Sequence, residues 1–95
     1  MQKKSVKKTA LFVVLNRKGL HTRPATELVR LASSFRSHIY LRYREFFVNA
    51  KSLLGILVMG ANRGAKITIE AEGSDAKEAL EAIVRLAKNQ FNMKY

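Results

Sequence analysis

The sequence predicts an α+β fold in which three helices cover one face of a four-stranded antiparallel sheet. Short apolar or alternating segments indicate strands, and longer segments whose apolar residues recur every three to four positions indicate helices. Their order along the chain is β-α-β-β-α-β-α. An open-faced β-sandwich buries all of these apolar stripes in one interface. We assign residues 9–95 to this domain and residues 1–8 to a basic, flexible N-terminal extension.

The first half of the chain contains three predicted strands and one helix. Residues 9–15 are rich in Leu, Phe and Val, as expected for a buried strand. A turn leads into a helix from about Thr22 to Ser34, whose apolar residues form one stripe. Residues 37–43 alternate between apolar and polar side chains, which indicates a half-exposed strand. A short turn at Arg44-Glu45 connects it to the next strand, at 46–50.

The second half supplies two further helices and the last strand. Ser52 is a predicted N-cap for a short helix over 53–58. After a glycine-containing turn, residues 65–71 alternate with Ile67 and Ile69 inward. Asp75 and Glu78 have the spacing of a capping box at the start of the final helix. Within that helix, Glu81 is expected to pair with Arg85 one turn later.

The segment Gly19-Leu20-His21-Thr22-Arg23-Pro24-Ala25 places an ionisable imidazole and a guanidinium at the start of a predicted helix. Pro24 suits the first helical turn, and Thr22 is the predicted N-cap. His21 then lies where unpaired backbone N–H groups and the helix dipole favour negative charge. A neutral imidazole keeps a lone pair on one ring nitrogen. If that nitrogen accepts a phosphoryl group, the helix start and the Arg23 guanidinium can stabilise it.

This segment resembles the active-site signature of the HPr family, the histidine-containing phosphocarriers of the bacterial phosphotransferase system. Residues 48–57, Val-Asn-Ala-Lys-Ser-Leu-Leu-Gly-Ile-Leu, resemble the family's regulatory serine region. Residues 59–65, Met-Gly-Ala-Asn-Arg-Gly-Ala, resemble the turn before its last strand. The three segments keep the family's order and separations over roughly residues 9–90. The resemblance implies the same open-faced sandwich.

The resemblance also implies a phosphoryl carrier. Nδ1 of His21 would accept the group from enzyme I, which is charged from phosphoenolpyruvate, and an enzyme IIA domain would receive it for sugar uptake or regulation. Arg23 would hold the phosphoryl group. The serine that corresponds to Ser52 is phosphorylated in some bacteria, so HPr kinase/phosphorylase would be a further partner. Partners would dock transiently on the start of the first helix and the short helix, at Thr22, Leu53, Leu54 and Leu57. We expect a carrier without a catalytic pocket of its own.

Bulk properties narrow the remaining functions. The chain has no cysteine, which excludes disulfides and thiolate chemistry and fits a reducing cytoplasm. No apolar run is long enough for a membrane span. His38 has no cluster of potential metal ligands near it in sequence, so we expect no metal. Neither a Walker loop nor a dinucleotide-binding motif appears, and we expect no cofactor. We also expect a cytoplasmic monomer.

The charge leaves an alternative open. The net charge is +11, with 14 basic and 2 acidic residues in 1–66 against 4 and 5 in 67–95. The positive charge of residues 1–66 can attract RNA. RNA bases can stack on aromatic side chains of the predicted sheet, namely Tyr40, Tyr43, Phe46 and Phe47. The same charge can equally steer the domain onto acidic protein partners. A small RNA-binding domain is therefore the alternative, and a relative regulated at Ser52 and seldom phosphorylated on His21 is a third.

Overall fold

The structure, a computed structural model, describes residues 7–95. It contains a four-stranded sheet, three α-helices and a short turn of tighter helix near the end. The elements are β1 (Lys7–Val13), α1 (Thr22–Ser33), β2 (His38–Tyr43), β3 (Phe46–Asn49), α2 (Leu53–Met59), β4 (Lys66–Glu72) and α3 (Ala76–Lys88).

The first strand begins earlier than the sequence suggests. Residues 1–6 of the predicted extension lie outside the described residues, but Lys7 and Lys8 already belong to β1. Lys7 lies opposite Glu72 in the antiparallel ladder, and its ammonium is 3.4 Å from a carboxylate oxygen of Glu70. The predicted strand over residues 9–15 therefore lies over Lys7–Val13 instead, because β4 pairs with both lysines along the ladder and offers a carboxylate to Lys7.

The sheet has the order β1-β4-β2-β3, and every neighbouring pair is antiparallel. β4 lies in the interior of the sheet, where Ile67, Ile69 and Ala71 are buried and the alternate residues are exposed or half-exposed. The helices supply the other half of the core through buried stripes on α1 and α3. These features confirm the predicted α+β open-faced sandwich. No helix within 7–95 has the length and apolar character needed to cross a membrane.

Two predicted side-chain interactions on α3 are wrong. Asp75 precedes the helix, but its side chain makes no capping hydrogen bond to it. Its carboxylate instead accepts hydrogen bonds from the backbone N–H groups of Arg36 and Ser37, at 2.9 Å each, and from the Ser37 hydroxyl. The hydrogen bond from the Ser37 hydroxyl, together with those from the backbone, holds the pKa of Asp75 below its ordinary value. Asp75 thus anchors the connection between α1 and β2. Among the described residues, Glu81 and Arg85 are both exposed and form no ion pair.

The aromatic residues that suggested RNA binding are divided between the two faces of the sheet. Tyr43 and Phe46 pack against the core. On the open face, Tyr40 stacks on Phe47 with ring centroids 4.9 Å apart, and the Arg42 guanidinium lies 4.5 Å from the Phe47 centroid. The open-face rings therefore already stack within the protein, while Phe47 remains 47% exposed.

Candidate functional site

The loop before α1 is held by a close backbone contact. Gly19 has φ +76°, and a Cβ placed there would lie 2.6 Å from the carbonyl oxygen of Ala61. The next residue, Leu20, donates its N–H to that same carbonyl at 2.9 Å and is buried. Only glycine fits both the left-handed backbone and the contact. The loop that presents His21 is thereby fixed against the turn before β4.

His21 is the N-cap of α1. Its carbonyl accepts the N–H of Ala25 at 2.9 Å, which starts the helical hydrogen-bond series, while its side chain makes no capping bond. The prediction that Thr22 caps the helix is wrong: Thr22 is the first helical residue, since that series begins one residue earlier. The carbonyl of Thr22 accepts the hydroxyl of Thr26 at 2.8 Å. The imidazole consequently lies one residue nearer the helix than expected.

The start of α1 leaves backbone donors free beside the imidazole. Within residues 7–95, the N–H groups of Thr22 and Arg23 have no hydrogen-bond acceptor, and Pro24 has no N–H to place. Unpaired N–H groups at a helix start form an anion-binding site together with the helix dipole. The predicted anion site at this helix start therefore has two free donors.

The two ring nitrogens of His21 differ in access. The residue is half-buried, and Nε2 is buried without a hydrogen-bond partner among the described residues. A group that attaches to the ring from outside must therefore approach Nδ1. This asymmetry was not predictable from the sequence, because it depends on how the ring packs rather than on its neighbours along the chain.

Arg23 is exposed and contacts a residue that the sequence did not suggest. One of its terminal nitrogens lies 3.4 Å from the hydroxyl of Tyr95. The Tyr95 ring is also nearly parallel to the imidazole of His21, with an interplanar angle of 10° and 6.4 Å between centroids. The ammonium of Lys18 lies 4.8 Å from the centroid of the same tyrosine ring. No sequence motif signals this arrangement, because Tyr95 is separated from Arg23 by 72 positions.

A buried asparagine ties the last residues to the site loop. Asn16 is fully buried, and its Nδ2 donates to the main-chain oxygens of Gln90 and Tyr95 at 2.9 and 3.0 Å. Its Oδ1 has no partner among the described residues. The chain reaches Asn16 through a left-handed turn at Gln90–Asn92, where all three φ angles are positive and Phe91 is buried against Phe12. Asn16 therefore fixes the segment that carries Tyr95.

The predicted partner residues on α2 have different environments. Leu54 is 73% exposed, and Val58, which the sequence analysis did not single out, is 56% exposed. Leu53 and Leu57 are half-buried and pack against the core, so core packing accounts for much of their apolar surface. The helices α1 and α2 contact each other. The exposed part of the predicted docking face consists of Thr22 on α1 and Leu54 on α2.

Ser52 has the geometry predicted for a helix cap. It precedes α2 with an extended backbone, and its Oγ accepts the N–H of Gly55 at 3.1 Å. The predicted N-cap is confirmed. The hydroxyl is thus at the positive end of α2, where a negative group is favourable.

The site contains ligands for an anion. The Arg23 guanidinium and the free backbone N–H groups of Thr22 and Arg23 are donors of the kind that recognise phosphate, and the His21 imidazole lies beside them. Throughout 7–95, no group of three His, Asp or Glu side chains is close enough to hold a metal ion.

An accessible imidazole nitrogen beside free N–H groups at a helix start, on this open-faced sandwich, is the arrangement expected of the class of small phosphoryl-group carriers. The chain belongs to the HPr family: a family model described as the phosphorylation site of the phosphotransferase system's HPr component matches residues 8–89.

Solved structures of HPr proteins agree with this assignment. HPr-C-His from Thermoanaerobacter tengcongensis is 38% identical, with a TM-score of 0.87 over 93% of this chain and 99% of that one. The phosphocarrier protein HPr from Bacillus anthracis is 39% identical, with a TM-score of 0.79 over 83% and 94% of the two chains. An HPr dimer from T. tengcongensis is 36% identical, with a TM-score of 0.72 over 96% and 98%.

Proposed function

We propose that this protein carries a phosphoryl group on Nδ1 of His21, between enzyme I charged from phosphoenolpyruvate and enzyme IIA domains. The observation that supports this most directly is the imidazole at the start of α1, with Nε2 buried and the N–H groups of Thr22 and Arg23 free beside it. Membership of a family of phosphotransferase-system carriers gives the same general role.

The transfer step needs only groups that this site and its partner supply. The Nδ1 lone pair attacks the phosphorus of the phosphorylated donor, and the bond from phosphorus to the donor atom breaks with its electron pair returning to the donor. In the second step a nucleophile of the acceptor attacks the phosphorus on His21, and the bond from phosphorus to Nδ1 breaks with its electron pair returning to Nδ1. The protein needs no cofactor for this. Arg23 and the free N–H groups offset the charge of the phosphoryl oxygens, and each charge-assisted hydrogen bond contributes about 1.5–3 kcal/mol.

Docking is assigned to the exposed surface formed by Thr22 and Leu54, with Leu53 and Leu57 at its half-buried edge. A carrier must leave one partner before it binds the next, which favours a small interface below about 1,200 Å². The basic charge of residues 1–66 would speed association with acidic partner surfaces. We assign the protein to the cytoplasm, where these partners act.

Regulation by HPr kinase/phosphorylase at Ser52 is the second part of the proposal. A phosphate on this N-cap oxygen would sit at the positive end of α2, so the fold would tolerate it. Leu54, two residues further on, belongs to the docking surface. The added negative charge would therefore act on partner binding rather than on folding.

The experiment is incubation with radiolabelled phosphoenolpyruvate and enzyme I, followed by acid treatment. We expect acid-labile label on the wild type and none on His21→Ala. His38→Ala is the matched control, because His38 is the other histidine and is exposed on β2. Label that persists in His21→Ala, or acid-stable label alone, would refute the carrier proposal. Strongly salt-dependent RNA binding by an unlabelled protein would instead favour the RNA-binding alternative.

We further propose that the protein works as a monomer. The docking surface on α1 and α2 must be open to two different partners in turn, which a monomer satisfies directly. Light scattering at micromolar concentration should give the mass of one chain, 10.8 kDa. A mass of two chains would contradict this part.

A further inference from the structure

We propose that Tyr95 is a positioning residue for phosphoryl transfer, whose hydroxyl holds the Arg23 guanidinium beside His21 before the phosphoryl group arrives. The inference rests on the proposed carrier function of His21. Tyr95 contacts both residues of the site at once: its ring is parallel to the imidazole, and its hydroxyl lies 3.4 Å from Arg23.

Contacts with buried residues fix the position of Tyr95. Asn16 is fully buried and donates to the main-chain oxygens of Gln90 and Tyr95. Phe91, which lies between these two residues in the sequence, is completely buried. Three consecutive residues with positive φ turn the chain back toward the site. Such a backbone costs about 1–3 kcal/mol per strained residue and persists only where the surroundings impose it. The chain therefore uses buried contacts to bring one aromatic residue to His21.

Arg23 is exposed and forms no ion pair within 4.0 Å among the described residues, so the Tyr95 hydroxyl is its side-chain partner. An unrestrained arginine loses rotamer freedom when it binds an anion. The Tyr95 hydroxyl reduces that loss by holding the guanidinium near the imidazole. The hydroxyl can also accept a hydrogen bond without neutralising the guanidinium, so the full positive charge stays available to the phosphoryl group.

The contact predicts a moderate and specific kinetic effect. A hydrogen bond of ordinary strength corresponds to about a two- to tenfold change in rate. We expect Tyr95→Phe, which keeps the ring and removes the hydroxyl, to lower kcat/KM for phosphorylation by enzyme I by about that factor. Arg23→Ala should lower it further.

A double-mutant cycle separates positioning from a merely structural role. If Tyr95 acts through Arg23, adding Tyr95→Phe to Arg23→Ala should change kcat/KM by less than about 1.5-fold. If the hydroxyl only supports the local fold, the two losses multiply instead. Tyr43→Phe is the matched control, because Tyr43 also lies against an arginine, with the Arg44 guanidinium 5.1 Å from its ring, but in the β2–β3 hairpin. It should leave kcat/KM unchanged.

The outcomes distinguish this inference from the function on which it rests. If wild-type protein takes no label on His21, the carrier function and the positioning role both fail. If wild type is labelled but Tyr95→Phe matches it within 1.5-fold, only the role of Tyr95 is overturned. Losses that multiply in the double variant overturn it as well. A two- to tenfold loss that disappears in the Arg23→Ala background supports it.

Discussion

The docking proposal makes a quantitative prediction at Leu54. This side chain is 73% exposed on α2, so replacing it removes little from the folded core. Complete burial of a leucine contributes about 1.5–3 kcal/mol, and the exposed share of Leu54 leaves about 1–2 kcal/mol to be gained when a partner covers it. We therefore expect Leu54→Gln to raise KM for enzyme I by about five- to thirtyfold with kcat unchanged. Glutamine is chosen because its helix propensity is close to that of leucine.

Leu11→Gln is the control for this prediction. Leu11 is 54% exposed, but it lies on β1 and its side chain is on the open face of the sheet, away from α1 and α2. The assay is initial-rate phosphorylation at varied carrier concentration, with chemical denaturation to show that both variants are folded. The reasoning is refuted if Leu54→Gln changes KM by less than about twofold. It is equally refuted if Leu11→Gln raises KM as much.

Three further predictions concern regulation, pH and the site loop. Ser52→Asp should keep its unfolding free energy within about 0.5 kcal/mol, since aspartate also caps helices, but should be phosphorylated more slowly by enzyme I; unchanged kinetics would remove the regulatory role. Folding lowers the pKa of Asp75, so the stabilisation by its carboxylate is present above the unfolded-chain pKa and is lost as pH falls through the folded-state pKa. Acidification from about pH 5 to 2 should therefore destabilise wild type more than Asp75→Asn, as measured by denaturant titration. Equal acid sensitivity would contradict that. Gly19→Ala should lose more stability than Gly60→Ala, by about 1–3 kcal/mol, because both have positive φ but only Gly19 has a backbone atom, the Ala61 oxygen, where the methyl group would go; equal losses would show that the loop can move aside.

The fold was predictable because its signals are local. Apolar alternation at Ile67 and Ile69 requires only that one face of a strand be buried. Ser52 was predicted as a cap because a cap bonds to an N–H three residues away. His21 was placed at a helix start for the same reason, since Pro24 and the apolar stripe behind it fix where α1 begins to within one residue.

The errors involve choices between partners that are distant in sequence. Asp75 has the spacing of a capping residue, but the loop at Ser37 offers it three donors from across the fold. The contact of Tyr95 with Arg23 depends on a left-handed turn and on a buried asparagine, neither of which has a periodic signature. Which ring nitrogen of His21 is buried depends on packing in the same way.

The central claim is tested most directly by identifying which atom of the protein bonds to phosphorus. Protein labelled with ¹⁵N in its histidines and charged by enzyme I can be examined by ¹⁵N and ³¹P NMR, which separate the two phosphohistidine isomers from each other and from phosphoserine. A phosphoryl group on Nδ1 of His21 is the predicted result, since Nε2 is shielded by the protein. Phosphorus on Nε2, on His38 or only on Ser52 would contradict the account.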